Sequence, residues 1–298
     1  MELITVAKIH TEFPDKFGIP RQSGLVPSLR GEIVFEPEFR NIDAVRGLED
    51  FSHIWLLWEF SQAKRDGYSL TVAPPRLGGK IKKGVFATRA PYRPNAIGLS
   101  SVQLEEIRMD KEKGPVLIVS GADLLDGTPI YDIKPYLPYT DAHPEAVGGF
   151  GEAHKQDEIA VQFPEELKNK LPKELQDSVM AVLKQDPRAA YNKKPEYVYG
   201  MEFSGYDIRF AVQDDVLVVK DISRREFISM VGDYKNGTYI ESDGTMKKKF
   251  EDILMYRRCR EYRVSGIERY CIDGELIEPD DGTVAVSCIK NGIWFAAL

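Results

Sequence analysis

Residues Ser101–Ala122 read SVQLEEIRMDKEKGPVLIVSGA, two β-prone runs set apart by Gly and Pro punctuation. The same pattern extends upstream. KGVFATR (83–89), the continuous apolar run HIWLLWEF (53–60), GEIVFE (31–36) after a glycine turn, and the loosely alternating ELITVAKIH (2–10) all have strand length and strand composition. Only DAVRGLEDF (43–51) reads as a short helix. Many short strands without long intervening helices predict an antiparallel β-barrel or strongly curved sheet and exclude a βαβ stack, and with it a Rossmann scaffold.

Downstream the character changes. PYTDAHPEAVGGFGEAHKQDE (138–158) is rich in Gly, Pro and acids and reads as a linker. LPKELQDSVMAVLKQDPRAAY (171–191) follows, with Leu175, Val179, Val182 and Leu183 on one helical face and QDPR (185–188) ending the helix. YVYGMEFSGYDIRFAVQDDVLVVKDI (197–222) predicts a three-stranded meander turning at Ser204-Gly205 and at Gln213-Asp214-Asp215. From about Val231, Asn236-Gly237, Asp243-Gly244, Asp273-Gly274 and Asn291-Gly292 repeat a hairpin signal. The expectation is mainly β: a barrel domain over 1–145, a small α+β domain over 155–228, and a hairpin-rich appendage over 231–298.

The net charge of −7 argues against a nucleic-acid partner, yet the average hides a local exception. Gly67 to Leu104 contains no Asp or Glu and holds Arg76, Lys80, Lys82, Lys83, Arg89 and Arg93, a single-sign field where an anionic partner would land. Cys259, Cys271 and Cys288 lack CxxC spacing, His10, His53, His143 and His154 are scattered, and neither a disulfide framework nor a metal site is expected. No membrane span and no secretory leader is legible, so the expected address is cytoplasmic. A phosphate-cradling P-loop, a GxGxxG turn and a GxSxG elbow are all missing.

Three polar clusters remain. GIPRQSGL (18–25) sets Arg21 and Gln22 beside Pro20; ATRAPYRPNAIGLS (87–100) brackets Pro91 with Arg89 and Arg93; GADLLDGTPIYDIKPYLPYTD (121–141) is expected to crowd Asp123, Asp126 and Asp132 on a short loop with Lys134 and Tyr136. The carboxylates alone also admit a metal-dependent phosphoesterase, and the barrel alone a non-catalytic binding module.

PPRLGG (74–79), GVFATRAPYRPNAIGLS (84–100), DLLDGTPIYDIKPYLPY (123–139) and QDPRAAY (185–191), in this order, resemble the TsaA/TrmO-like tRNA methyltransferases, and the likeness runs from residue 1 to about Ile228. The resemblance implies an S-adenosylmethionine-binding barrel. It implies a homodimer that methylates N6-threonylcarbamoyladenosine at position 37 of tRNA, with the small second domain helping to hold the tRNA. Cofactor contacts carried over fall on Pro20, Arg21, Gln22, Ser61, Gln62, Arg89, Leu99 and the run Asp123, Leu124, Leu125, Asp126; Ser61 stands where the family usually has histidine. Asp132, Lys134 and Tyr136 are expected on the nucleophile side, and Lys80, Lys82, Arg93, Asp186 and Arg188 are expected to contact tRNA.

Overall fold

The computed structural model describes residues 3–63, 67–74, 77, 79–154, 158–188 and 197–224, and the strands 261–265, 270–272, 275–277 and 283–287. The chain divides into two compact units, Met1–Arg225 and Glu226–Leu298.

In the first unit, six strands close an antiparallel barrel: β1 (Ala7–Thr11), β2 (Arg30–Phe35), β3 (His53–Glu59), β6 (Ile97–Asp110), β7 (Gly114–Ser120) and β8 (Thr128–Pro135), in spatial order β1-β2-β7-β6-β3-β8. β8 pairs back onto β1, so no edge is left open. The alternation of β3 has a direct structural consequence. Ile54, Leu56 and Trp58 point into the barrel, and from β6 Gly98, Ser100, Val102 and Leu104 face them. The two β-prone runs of Ser101–Ala122 pair as the β6–β7 hairpin, with Gly114, the first residue of β7, at φ of +69°. A Cβ at that glycine would sit 3.0 Å from the Arg40 carbonyl oxygen, tighter than ordinary contact, in a backbone conformation that favours glycine.

Two local expectations fail. DAVRGLEDF forms two 3-10 turns, Ile42–Val45 and Leu48–Asp50, because Gly47 enters the left-handed region (φ +84°) and breaks the helical run. KGVFATR supplies only β5 (Lys83–Gly84), which pairs with β4 (Thr71–Val72), and then turns 3-10 over Val85–Ala87. The Thr88 hydroxyl donates to the Val85 carbonyl at 2.9 Å and closes that turn.

Past the short helix α1 (Pro138–Asp141), β9 (Ala160–Gln162) pairs parallel to the last strand of a meander. That meander is β10 (Tyr199–Phe203), β11 (Tyr206–Gln213) and β12 (Val216–Arg224), in the sheet order β10-β11-β12-β9. Its turns fall at Ser204-Gly205 and Asp214-Asp215, all four residues with positive φ, as tight two-residue hairpins require. After the single turn α2 (Glu165–Lys168), helix α3 (Lys173–Lys184) buries Val179, Val182 and Leu183, with Leu175 partly buried on the same face. The two sheets lie on either side of residues 145–155, within the compact unit Met1–Arg225. Phe13, Val26 and Leu29, from the β1–β2 connection, lie in one core with Val182, Met201, Phe203 and Phe210.

The second unit shows β13 (Glu261–Ser265) antiparallel to β16 (Thr283–Ser287), and β14 (Tyr270–Ile272) antiparallel to β15 (Glu275–Ile277). The turn signals Asn236-Gly237, Asp243-Gly244, Asp273-Gly274 and Asn291-Gly292, like Arg76, Cys259 and Cys288, lie outside the described residues.

Candidate active site at the mouth of the barrel

One end of the barrel collects the polar clusters. There β1 and β7 end, β6 begins, and β3 finishes opposite the start of β8, around a cleft of about 510 Å³. Such a volume accommodates a cofactor-sized ligand. Its lining brings together Pro20, Arg21, Gln22, Ser61, Gln62, Arg89, Arg93, Leu99, Asp123 and Leu125, residues spread over more than a hundred positions of the sequence.

Asp123 is the electrostatic centre. It is half-buried, and burial is the largest influence on its carboxyl, raising its pKa above the usual 3.8; hydrogen bonds from Ser100 and main-chain amides, and the charge of Arg89, act against that rise. The Ser100 hydroxyl donates to Asp123 at 2.6 Å and itself accepts from the Trp58 indole N–H at 3.0 Å, so the barrel interior orients the carboxylate. Gly98 makes this possible. It lies flat against the Trp58 ring, where any Cβ would collide with the indole.

The arginines are held before a ligand arrives. Arg89 Nη1 donates to Gln22 Oε1, and Gln22 Nε2 donates to the Arg21 carbonyl. Arg93 is bonded to its own loop. Its Nη1 donates to the carbonyls of Thr88 (2.8 Å), Ala90 (3.3 Å) and Val85 (3.4 Å), and the guanidinium lies 6.0 Å from the centre of the Phe86 ring. It is a clamp on its own loop. The proline-rich stretch 87–100 is thus stiffened twice, by Pro91 and Pro94 and by this guanidinium, which reduces the ordering cost of presenting Arg89.

Other expected residues stand elsewhere. The Leu124 side chain is buried in the barrel core, while its carbonyl accepts from the Thr11 hydroxyl at 3.0 Å. Asp126 is exposed and tied to His10 and to the Thr11 amide, both at 3.1 Å. Asp132 is not in a loop. It lies on β8 beyond an irregularity opposite Leu57 and Trp58, and forms an exposed ion pair with Lys134 at 2.7 Å on the outer wall. Tyr136 packs against His53 and Trp55, near the opposite end of the barrel. None of these three lines the cleft. Lys80 and Lys82 are exposed beside β5, also outside the lining. Arg188 is only 5 % exposed and pairs with Asp186, so it is not displayed to a phosphate.

The sequence reading passed over Lys16, Trp58, Glu59, Tyr92 and Thr128, all of which line the cleft. The end of the apolar run HIWLLWEF carried a signal for Trp58 and Glu59, since the last strand residues before a turn sit at a barrel rim. For Lys16 no local signal existed. Among the described residues no group of three His, Cys, Asp or Glu is placed to hold a metal ion, and no helix is long and apolar enough to cross a membrane.

Residues 8–142 match the family model of the tRNA-methyltransferase O N-terminal domain, and residues 156–225 match that of the TrmO C-terminal domain. This chain belongs to the tRNA-methyltransferase O family. It is 41% identical over 217 residues to the tRNA (adenine(37)-N6)-methyltransferase of Escherichia coli K12, covering 70% of this chain and 92% of that one. It is also 41% identical over 227 residues to a putative S-adenosylmethionine-dependent methyltransferase of Pseudomonas aeruginosa, covering 73% of this chain and 96% of that one. The crystal structure of TrmO from Pseudomonas aeruginosa superposes with a TM-score of 0.60 at 35% identity, covering 75% of this chain and 98% of that chain. Both family matches end by residue 225, where the first compact unit of this TrmO-family protein ends.

Proposed function

We propose that this chain is an S-adenosylmethionine-dependent tRNA methyltransferase acting on N6 of adenine 37, with N6-threonylcarbamoyladenosine as the base it receives. The observation that carries the reading is the cleft itself: a half-buried carboxylate, two restrained guanidinium groups and apolar cover from Leu99 and Leu125, on the motifs that resemble the family. These groups fit the cofactor. An ionised Asp123 suits ribose hydroxyls or the ammonium, and Arg21 and Arg89 suit the cofactor's carboxylate by paired hydrogen bonds. Ser61 and Gln62 close the rim at the end of β3.

The bound donor supplies an activated methyl group on a sulfonium. The work left to the chain is alignment of nitrogen, methyl and sulfur, and removal of one proton. The N6 proton of the threonylcarbamoyl base lies next to a carbonyl and is more acidic than that of adenosine, so a modest base suffices. Among the residues lining the cleft Glu59 and Asp123 are the carboxylates, and one of them takes the proton; Asp132, Lys134 and Tyr136 stand outside the lining. A homodimer is consistent with Leu70 and Phe86, 72% and 76% exposed on the excursion between β3 and β6. Lys80 and Lys82 of the same excursion contact tRNA phosphates, and the enzyme works in the cytoplasm.

The test is methyl transfer from labelled S-adenosylmethionine to tRNA with and without the threonylcarbamoyl group, read by mass spectrometry of the nucleosides. Transfer to the modified base alone supports the proposal; no transfer to either substrate overturns it.

A further inference from the structure

The loop that brings Pro20, Arg21 and Gln22 into the cleft begins on the barrel, but its apolar side chains dock on the second sheet. Phe17 stacks on Tyr199 with ring centres 6.2 Å apart, and Ile19 packs against the same core. Gly18, at φ +99°, passes so close to Met201 that a Cβ would strike its sulfur. Further along the loop, the Ser178 hydroxyl of α3 meets Ser28 Oγ at 3.0 Å. The cleft loop is thus held by the α+β part of the chain, and one polar connection reaches the cleft itself.

That connection is the turn after α3. Asp186 adopts φ of +46°, unusual for a residue with a Cβ, and Arg188 grips its carboxylate through Nε (2.8 Å) and Nη2 (2.9 Å). In this conformation the Asp186 carbonyl accepts from Arg21 Nη2 at 3.2 Å. The chain of bonds continues from the Arg21 carbonyl to Gln22 and from Gln22 to Arg89.

We propose that Asp186 and Arg188 are positioning residues of the cofactor site: Arg188 locks the left-handed turn, and the Asp186 carbonyl it presents aims Arg21 into the cleft and, through Gln22, steadies Arg89. The inference rests on the cofactor reading above. It gives the 156–225 segment a part in holding the methyl donor, separate from any contact with tRNA.

The test is titration calorimetry of the full-length protein with S-adenosylhomocysteine, the demethylated product. Wild type, Arg188→Met, Asp186→Asn, Arg21→Ala and the double variant Arg21→Ala/Arg188→Met are compared, with Val182→Ala as a control that loosens the same core away from the turn. The expected result is about tenfold weaker binding for Arg188→Met, a smaller loss for Asp186→Asn, and no further loss when Arg188→Met is added to Arg21→Ala. Val182→Ala lowers the melting temperature and leaves affinity unchanged. Wild-type affinity in Arg188→Met, or an equal loss with and without Arg21, overturns the proposal. If Arg188→Met does not fold, Asp186→Asn decides alone: weakened binding that disappears on the Arg21→Ala background supports the proposal, and unchanged binding overturns it. Absence of binding by the wild-type protein would instead sink the cofactor reading.

Discussion

Asp123 concentrates the chemistry of the site because burial and the charge of Arg89 act on one carboxyl in opposite directions. Binding of the donor's hydroxyls or ammonium favours the ionised form, while burial favours the proton. As pH falls through the raised pKa of Asp123, affinity for S-adenosylmethionine is expected to fall with it. Asp123→Asn should bind more weakly, by about 1.5–3 kcal/mol for a lost charged hydrogen bond, and with no such pH dependence. Calorimetry across a pH series reads both effects. Gly98 offers a second check at this scale. Gly98→Ala pushes a methyl into the Trp58 indole, and overpacking of this kind costs about 1–3 kcal/mol, read as a lower midpoint in denaturant unfolding.

Among the elements, the proline-rich excursion and α3 separate binding from folding. Arg93 holds three carbonyls of its own loop, so Arg93→Met is expected to loosen the loop bearing Arg89 and weaken cofactor binding, leaving the salt dependence of tRNA binding as it was. Lys80→Ala/Lys82→Ala should do the reverse. Each phosphate left without its lysine lowers the slope of log affinity against log salt by roughly 0.7–0.9, which filter binding at several salt concentrations measures. In α3, Leu183 is fully buried, and Leu183→Ala is expected to cost about 2–5 kcal/mol of stability by chemical denaturation.

For the whole molecule, two half-buried carboxyls shape the pH dependence of stability above the ordinary acid range. Glu12, one of whose oxygens is buried without a hydrogen-bond partner, is raised from 4.5 chiefly by burial, as Asp123 is raised from 3.8. Each holds its proton more tightly folded than unfolded. Each therefore adds stability as pH falls from its raised folded value towards the unfolded one, and that stability is lost as pH rises through the folded value. Asp110 and Asp141 are lowered by main-chain hydrogen bonds, and Asp221 chiefly by Lys170; their contribution has the opposite sign and is lost only below 3.8. Thermal melts should thus show a melting temperature that declines as pH rises above about 4.5, and Glu12→Gln/Asp123→Asn should flatten that decline. At the same scale, sedimentation should give about twice the chain mass of 33.8 kDa, and Leu70→Ser/Phe86→Ser should halve it.

How much was legible varies with the range of the physics involved. Alternation at period two is a local property, so β1, β2, β3, β6 and β7 of the barrel, the meander with its two turns and the apolar face of α3 were readable from Ser101–Ala122 outward, whereas Thr128–Pro135 reads as part of a polar loop and forms β8. The glycine- and proline-bound motifs were readable too, because their stiffness is written in residue type. The 3-10 breaks at Gly47 and Thr88 were not, since each depends on a backbone angle or a side-chain bond that composition leaves open. Sequence alone determined that the chain is mainly β, that its cationic chemistry gathers between Gly67 and Leu104, and which family it resembles. Tertiary structure decided which of those charges face the cleft. Barrel closure brings Arg21, Arg89 and Asp123 to one mouth and turns Asp132 and Lys134 to the outer wall, while the fold-back of QDPR onto Arg21 spans 165 residues. Contacts over such separations follow from strand register and shared burial, and neither is encoded in any short stretch of residues.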